Sequence, residues 1–414
     1  MGGDGEDIAG FGAAPARGGV IDLPGMAALW DALPQARMVG GAVRDMLAGQ
    51  AVADVDFAVP LSPQEVMARV RAAGLKAVPT GLAHGTVTVV ACGRGFEVTS
   101  LRRDVATDGR HAVVEFTDDW KTDASRRDFT INAMSATRDG AVFDYFGGRE
   151  DLVAGKVRFV GEAGRRIAED YLRILRFFRF FARYGRGVPD AQAVAAIVTL
   201  RAGVGSLSAE RVWSEVKQIL RAEDPRAVVA LMRETGVLEL VLPQADEARL
   251  AGMVARGAPV DELLRVAALL RGDVGLFAQC WRLSGAEQVR LVALMAPNAL
   301  APDADDAALR RALAEAPGEI LIGRSWLSQD DRPGWDDLRA RIAAMARPVF
   351  PVQGRDVVAL GVPPGPGVGR VLDAVRRWWL AGGCVADARA CLARVRAELE
   401  RDRLRLAQPS APKA

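Results

Sequence analysis

The stretch VGGAVRDMLAGQAVADVDFAV, residues 39 to 59, constrains this chain more than any other. It sets two carboxylates, Asp54 and Asp56, one residue apart in a β-like run, so both project from one face while Val55 and Phe57 point to the other. Like charges held so close cost stability unless something positive sits between them. Just upstream, Gly40 and Gly41 let backbone N–H groups approach a ligand where any Cβ would block it, and a helix beginning near Ala42 aims its positive end at the same place. A triphosphate suits that turn. Arg44 can add a charge-assisted fork to its phosphates, and Asp45 can fix that arginine.

Asp54 and Asp56 can share two divalent ions, which removes the repulsion and suits activation of a hydroxyl for phosphoryl displacement. Such chemistry calls for a third carboxylate on a neighbouring strand; Glu97, in FEVTS, has that setting, and Asp104 competes with it. The D-x-D spacing alone also fits a solvated acidic pair or a calcium site, and the glycine turn upstream is what favours the phosphate chemistry. Histidine and cysteine narrow the choice of ion. The chain has two histidines, His84 and His111, and four cysteines with no CxxC pair, so a zinc site is excluded and oxygen ligands point to magnesium.

Two further segments fit the same chemistry. In DASRRDFTINA, 123 to 133, Arg126 and Arg127 supply forks for phosphate, and Asp128 can accept a hydrogen bond from a ribose 2′-hydroxyl. AEDYLRILRFFRFFARY, 168 to 184, reads as one amphipathic helix with Glu169, Asp170, Arg173, Arg176 and Arg183 on one broad side and Ile174, Leu175, Phe178 and Phe181 on the other. Asp170 and Arg173, three apart, can present a carboxylate and a guanidinium together. Cytosine and adenine each offer an exocyclic amine beside a ring-nitrogen acceptor, so this pair matches C and A and opposes U and G without a template.

GGAVRD followed by DVDF resembles the nucleotidyltransferase superfamily that includes DNA polymerase β, and specifically its class II branch of CCA-adding tRNA nucleotidyltransferases and bacterial poly(A) polymerases. The resemblance implies that Arg127 contacts the nucleotide, that Asp170 and Arg173 belong to an E-D-x-x-R element selecting CTP and ATP, and that Arg176 and Arg179 are further nucleotide-site arginines. It implies Mg²⁺ as cofactor and tRNA, through its acceptor stem and 3′ end, as partner. HGTVTVV, DGAVFDYFGGREDL and SLSAERVWSEVKQIL resemble weaker family segments, with His84, Glu210 and Arg211 read as structural.

The expected fold is α+β: a nucleotidyltransferase head with a small mixed or antiparallel sheet, then an all-α neck, body and tail. The β-like runs ARMVGG, DVDFAV, TVTVVAC, GFEVTSL, AVVEFT and AVFDYF, with helices at 41–49 and 62–73, make the head over 25–162. A flexible leader takes 1–24, a base-selecting neck 163–230, a tRNA-binding body and tail 231–405, and a disordered end 406–414. Trp378 and Trp379 are read as core residues of the tail. A net charge of +2 excludes a general polyanion trap, but residues 156–186 carry nine Lys or Arg against three acids, a local patch for nucleic acid. No apolar run is long enough to span a membrane and the start lacks the pattern of a secretory signal, so a cytoplasmic enzyme or binding protein is expected.

CCA addition is the leading function. A poly(A) polymerase would use the same residues on ATP alone, although the basic GRRF-like stretch that such enzymes carry after the D-x-D strand is missing from this interval. CC-only or A-only addition, or a non-catalytic RNA binder, are the other readings.

Overall fold

The structure is a computed structural model that describes residues 23–52, 54–107, 112–328 and 330–407. The expected leader and disordered end therefore lie, apart from their inner residues, outside the described chain, as does His111. A first compact unit extends to Pro243 and a second begins at Gln244.

In the first unit the elements run α1 (Met26–Ala32), β1 (Arg37–Val39), α2 (Gly41–Leu47), β2 (Asp56–Val59), α3 (Pro63–Ala72), β3 (Lys76–Gly81), β4 (Thr86–Ala91), β5 (Arg94–Ser100), β6 (Arg102–Thr107), β7 (Ala112–Phe116), α4 (Trp120–Ser125), β8 (Ser135–Ala136), β9 (Val142–Phe143) and α5 (Gly148–Ala154). Seven strands form one sheet in the order β3-β4-β5-β2-β1-β8-β9, and β6 pairs with β7 in a separate ribbon. Only β2 and β5 run parallel among the described neighbours, so the sheet is mixed, one of the two arrangements the α+β reading allows. Period-two burial explains it. Val87, Val89 and Ala91 of β4, and Phe96 and Val98 of β5, turn inward, while the alternate residues face away. Phe57 of β2 sits edge-on between Trp30 and Phe96, with ring centroids 5.3 and 6.0 Å away, and anchors this core.

Three strands escape the pattern reading. β3 carries Pro79 at the sheet's edge, β6 is rich in charge, and β8 is only two residues long.

The helical part of the first unit comprises α6 (Ala163–Glu169), α7 (Leu172–Tyr184), α8 (Ala191–Leu200), α9 (Ala209–Leu220), α10 (Arg226–Glu234) and α11 (Val237–Val241). The expected single helix over 168–184 is corrected here. It breaks at Asp170, whose extended backbone (φ −157°, ψ 107°) ends α6, while its carboxylate accepts from the Leu172 amide at the start of α7. Along α7, Ile174, Leu175, Phe177 and Phe178 are buried and the arginines lie opposite; Phe180 is buried too, whereas Phe181 is half-buried. Phe129 joins the head to this helix, lying 4.7 Å from Phe159 and 5.3 Å from Phe180, centroid to centroid.

The second unit is helical among its described residues, from α12 (Glu247–Ala255) to the last helix (Ala388–Ala407). Two of its apolar clusters centre on Leu309, Leu313 and Leu338 and on Val357, Val375 and Trp379; Trp378 is half-buried against the latter.

Candidate active site

Sheet register gathers the acidic residues. Val39 pairs with Asp56 across β1 and β2, and Asp56 pairs with Glu97 across the parallel β2 and β5. Gly40 follows Val39 directly, so the glycine turn and the carboxylates share one end of the sheet. Asp54 precedes β2 and is not part of it, which corrects the reading of both aspartates as strand residues. Its side is unchanged, because exposed Asp54 and Asp56 alternate with buried Val55 and Phe57. Partial desolvation, followed by the negative charges of Glu97 and Asp54, pushes the Asp56 carboxyl above its ordinary range, with Arg127 pulling it back. The backbone of Asp104 pairs with Val114 in the ribbon, away from this register, and its side chain lies outside the described residues.

The carboxylates of Asp54, Asp56 and Glu97 at this end of the sheet are the oxygen donors a divalent cation takes. Among the described residues no three such groups stand close enough to form a metal cluster by themselves.

Gly40 adopts φ 66° and ψ −127°, and a Cβ there would stand 3.0 Å from Nη1 of Arg127. The turn therefore places Arg127 against the same sheet end. Asp123, at the start of α4 and buried, accepts from Arg126 Nε at 2.9 Å and Arg127 Nη2 at 3.3 Å and so aims both guanidinium groups. Burial pulls the Arg127 pKa down, opposed by Asp123.

Arg44 differs from its expected role as an open phosphate fork. It is buried: Nε donates to Asp45 at 2.9 Å, Nη1 donates to Asn132 Oδ1 at 2.6 Å, and its guanidinium lies over Phe180 and Tyr184. Tyr184 in turn donates to Asp45, and burial pushes its phenol up to about 12. Asn132 passes the connection on, donating Nδ2 to Asp128 Oδ1 at 3.0 Å.

Asp128 is likewise engaged. Oδ1 accepts from the Phe129 amide and Asn132, and Oδ2 from Arg176 Nε at 2.7 Å and Nη2 at 2.5 Å. Four donors fill its four lone-pair directions. Burial alone would raise its pKa, but Arg176 and these hydrogen bonds outweigh it and hold the carboxyl below the usual range. Asp170 and Arg173 do not pair with each other. Asp170 Oδ2 accepts from Arg211 at 2.7 Å, and Arg173 Nη1 donates to Glu169 at 2.6 Å. Arg179 donates to buried Glu215 on α9 at 3.0 Å.

These groups line a cleft of about 1390 Å³ in the first unit that includes Gly40, Gly41, Asp56, Arg127, Asp170 and Arg176. Nine arginines face it (44, 126, 127, 173, 176, 179, 183, 211 and 221) against five acids (56, 128, 170, 223 and 224), a field that attracts a polyphosphate. Asp54 and Glu97 lie outside the cleft lining, beside Asp56. Asp123, Glu215 and the cleft-lining role of Arg211 were missed in the sequence, because nothing local marks a carboxylate that acts by holding a distant arginine.

Comparison with known proteins places these features. A model described as the poly A polymerase head domain matches residues 36–158, and one described as a probable RNA and SrmB-binding site of polymerase A matches 189–249. The zebrafish (Danio rerio) CCA tRNA nucleotidyltransferase 1, mitochondrial, is 36% identical over 83% of this chain and 83% of its own. The chain belongs to the CCA-adding tRNA nucleotidyltransferase family. Another family member, the CCA-adding enzyme of Geobacillus thermodenitrificans, is 33% identical over 83% of this chain and 88% of its own. The crystal structure of the Bacillus stearothermophilus CCA-adding enzyme in complex with CTP superposes with a TM-score of 0.70 at 28% identity, covering 92% of this chain and 98% of that one. As a CCA-adding family member the protein is a nucleotidyltransferase, of a family whose chemistry uses divalent metal.

Proposed function

We propose that this enzyme adds C, C and A in turn to the 3′ end of tRNA, taking nucleotides from CTP and ATP without a template. The observation that carries the reading is the register that sets Asp56 beside Glu97 at the mouth of an arginine-lined cleft, in a chain alike along its length to CCA-adding enzymes.

Asp54 and Asp56 would hold Mg²⁺, with Glu97 in preference to Asp104 as the third carboxylate, because the Asp56–Glu97 register favours it. When bound, the ion lowers the pKa of the attacking hydroxyl and neutralises the pyrophosphate leaving group. The tRNA 3′-oxygen bonds to the α-phosphorus of the nucleotide, the bond from that phosphorus to the bridging oxygen breaks, and pyrophosphate departs. The hydroxyl proton would pass to Glu97, the carboxylate beside Asp56 that is not assigned to the metal. Gly40 and Gly41 admit the triphosphate, Arg127 binds it, and Arg44 acts from behind as a clamp on the turn. Asp170 and Arg173 read the base edge, held by Arg211 and Glu169, while Arg176 and Arg179 border the nucleotide. Residues 163–230 serve as neck, and 231–405 bind tRNA.

The test is incorporation of labelled CTP and ATP, separately and together, into tRNA lacking its last three, two or one nucleotides. Two additions of C followed by one of A support the proposal, and loss of transfer in Asp54→Ala with tRNA binding retained supports the metal assignment. Long ATP tracts would replace it with poly(A) synthesis, the reading that the name of the matched head model favours; addition of C alone or A alone would make it a partial CCA enzyme. Chelation should abolish transfer and Mg²⁺ restore it. No helix among the described residues is long and apolar enough to cross a membrane. A cytoplasmic site is part of the proposal, tested by fractionation because one relative bears a mitochondrial name.

A further inference from the structure

Glu215 on α9 is 6% exposed, and its Oε1 accepts from Arg179 Nη1 at 3.0 Å. Its other oxygen, Oε2, is buried with no hydrogen-bond partner. A buried acceptor left without a donor is costly, more so when charged, so the arrangement leaves stabilisation unclaimed. Arg176 can claim it. It lies one turn before Arg179 on the same face of α7, and the negative charge of Glu215 reaches both arginines. Arg176 is engaged instead by Asp128, whose four lone-pair directions are filled.

For Asp128 to accept a ribose hydroxyl, one of its donors must leave. The Phe129 amide is backbone, and Asn132 is tied to buried Arg44 through its other side-chain atom. That leaves Arg176, with a long side chain and the larger exposure.

We infer that Glu215 is a positioning residue with two tasks: it fixes Arg179, and its free Oε2 is a second seat for the Arg176 guanidinium, which releases Asp128 to the ribose of the incoming nucleotide. The inference rests on the cleft being a ribonucleotide site. It adds to that reading a reason for ribose selection on a residue outside the cleft lining.

Glu215→Gln keeps the shape and removes the charge. In the full chain with Mg²⁺, its preference for CTP over dCTP should fall about tenfold, in KM and in directly titrated affinity, while kcat for CTP stays within about twofold. Combining it with Asp128→Asn should lower the preference no further than Asp128→Asn alone, because both changes break one exchange. An unchanged preference in Glu215→Gln, or losses that add in the double variant, would overturn the inference; so would a fall in melting temperature and kcat with preference intact, the mark of a merely structural role. If Glu215→Gln does not fold, Glu215→Asp, which keeps the charge but withdraws both oxygens, is read by the same ratio. Wild-type protein that binds CTP over dCTP but transfers neither C nor A would sink the CCA reading alone. Wild type that transfers normally beside a Glu215→Gln that still discriminates would sink this one alone.

Discussion

Asp56 carries opposing demands. Its carboxyl is pushed up by desolvation and by Glu97 and Asp54, so the folded, metal-free chain holds a proton there more readily than the unfolded chain does. That contribution destabilises the fold at neutral pH and fades as pH falls through the raised value. Asp56→Asn should therefore raise the melting temperature of the metal-free protein at pH 7 while abolishing transfer. Because the charged form binds metal, kcat/KM should fall as pH drops through a value above the normal carboxylate range, and added Mg²⁺ should move that limb to lower pH. Gly40 makes a different demand. At φ 66° and ψ −127° an alanine costs about 1–3 kcal/mol in strain, and its Cβ would press on Arg127. Gly40→Ala should lower kcat/KM for both nucleotides by about a hundredfold, with a modest fall in melting temperature measured by scanning calorimetry.

At the scale of elements, α7 faces two ways. Its apolar side packs on the head through Phe129, Phe159 and Phe177, while its arginines, with Phe180 beneath them, face the cleft. Phe129 is fully buried between Asp128 and this cluster, so Phe129→Ala should cost about 3–5 kcal/mol by urea unfolding and also loosen the carboxylate that holds Arg176. A weakening of CTP binding without such destabilisation would refute this double role. The amphipathic pattern of α7 was legible, because apolar spacing survives in any one helix. Its break from α6 was not, since the Asp170 carboxylate competes for the backbone in a way periodicity does not register.

For the whole molecule, the cleft lies within the first compact unit, and the second unit holds its own apolar clusters. A chain ending at Pro243 should bind CTP within about threefold of full length yet lose tRNA affinity by at least about tenfold, measured by fluorescence titration. A β-rich head, the helical second half, the glycine turn, the acidic couple and the arginine face were readable from residue order, because each is written in local spacing, whereas the parallel β2–β5 pairing that makes the sheet mixed was left open. What tertiary packing alone decided was how the charges are partnered. Arg44 is a buried clamp, Asp128 is saturated by Arg176, Asp170 leans on Arg211, and Glu215 stands behind Arg179. Those pairings join residues 36 to 88 positions apart. The strength of an ion pair depends on distance and burial in the folded chain, neither of which is carried by neighbouring letters.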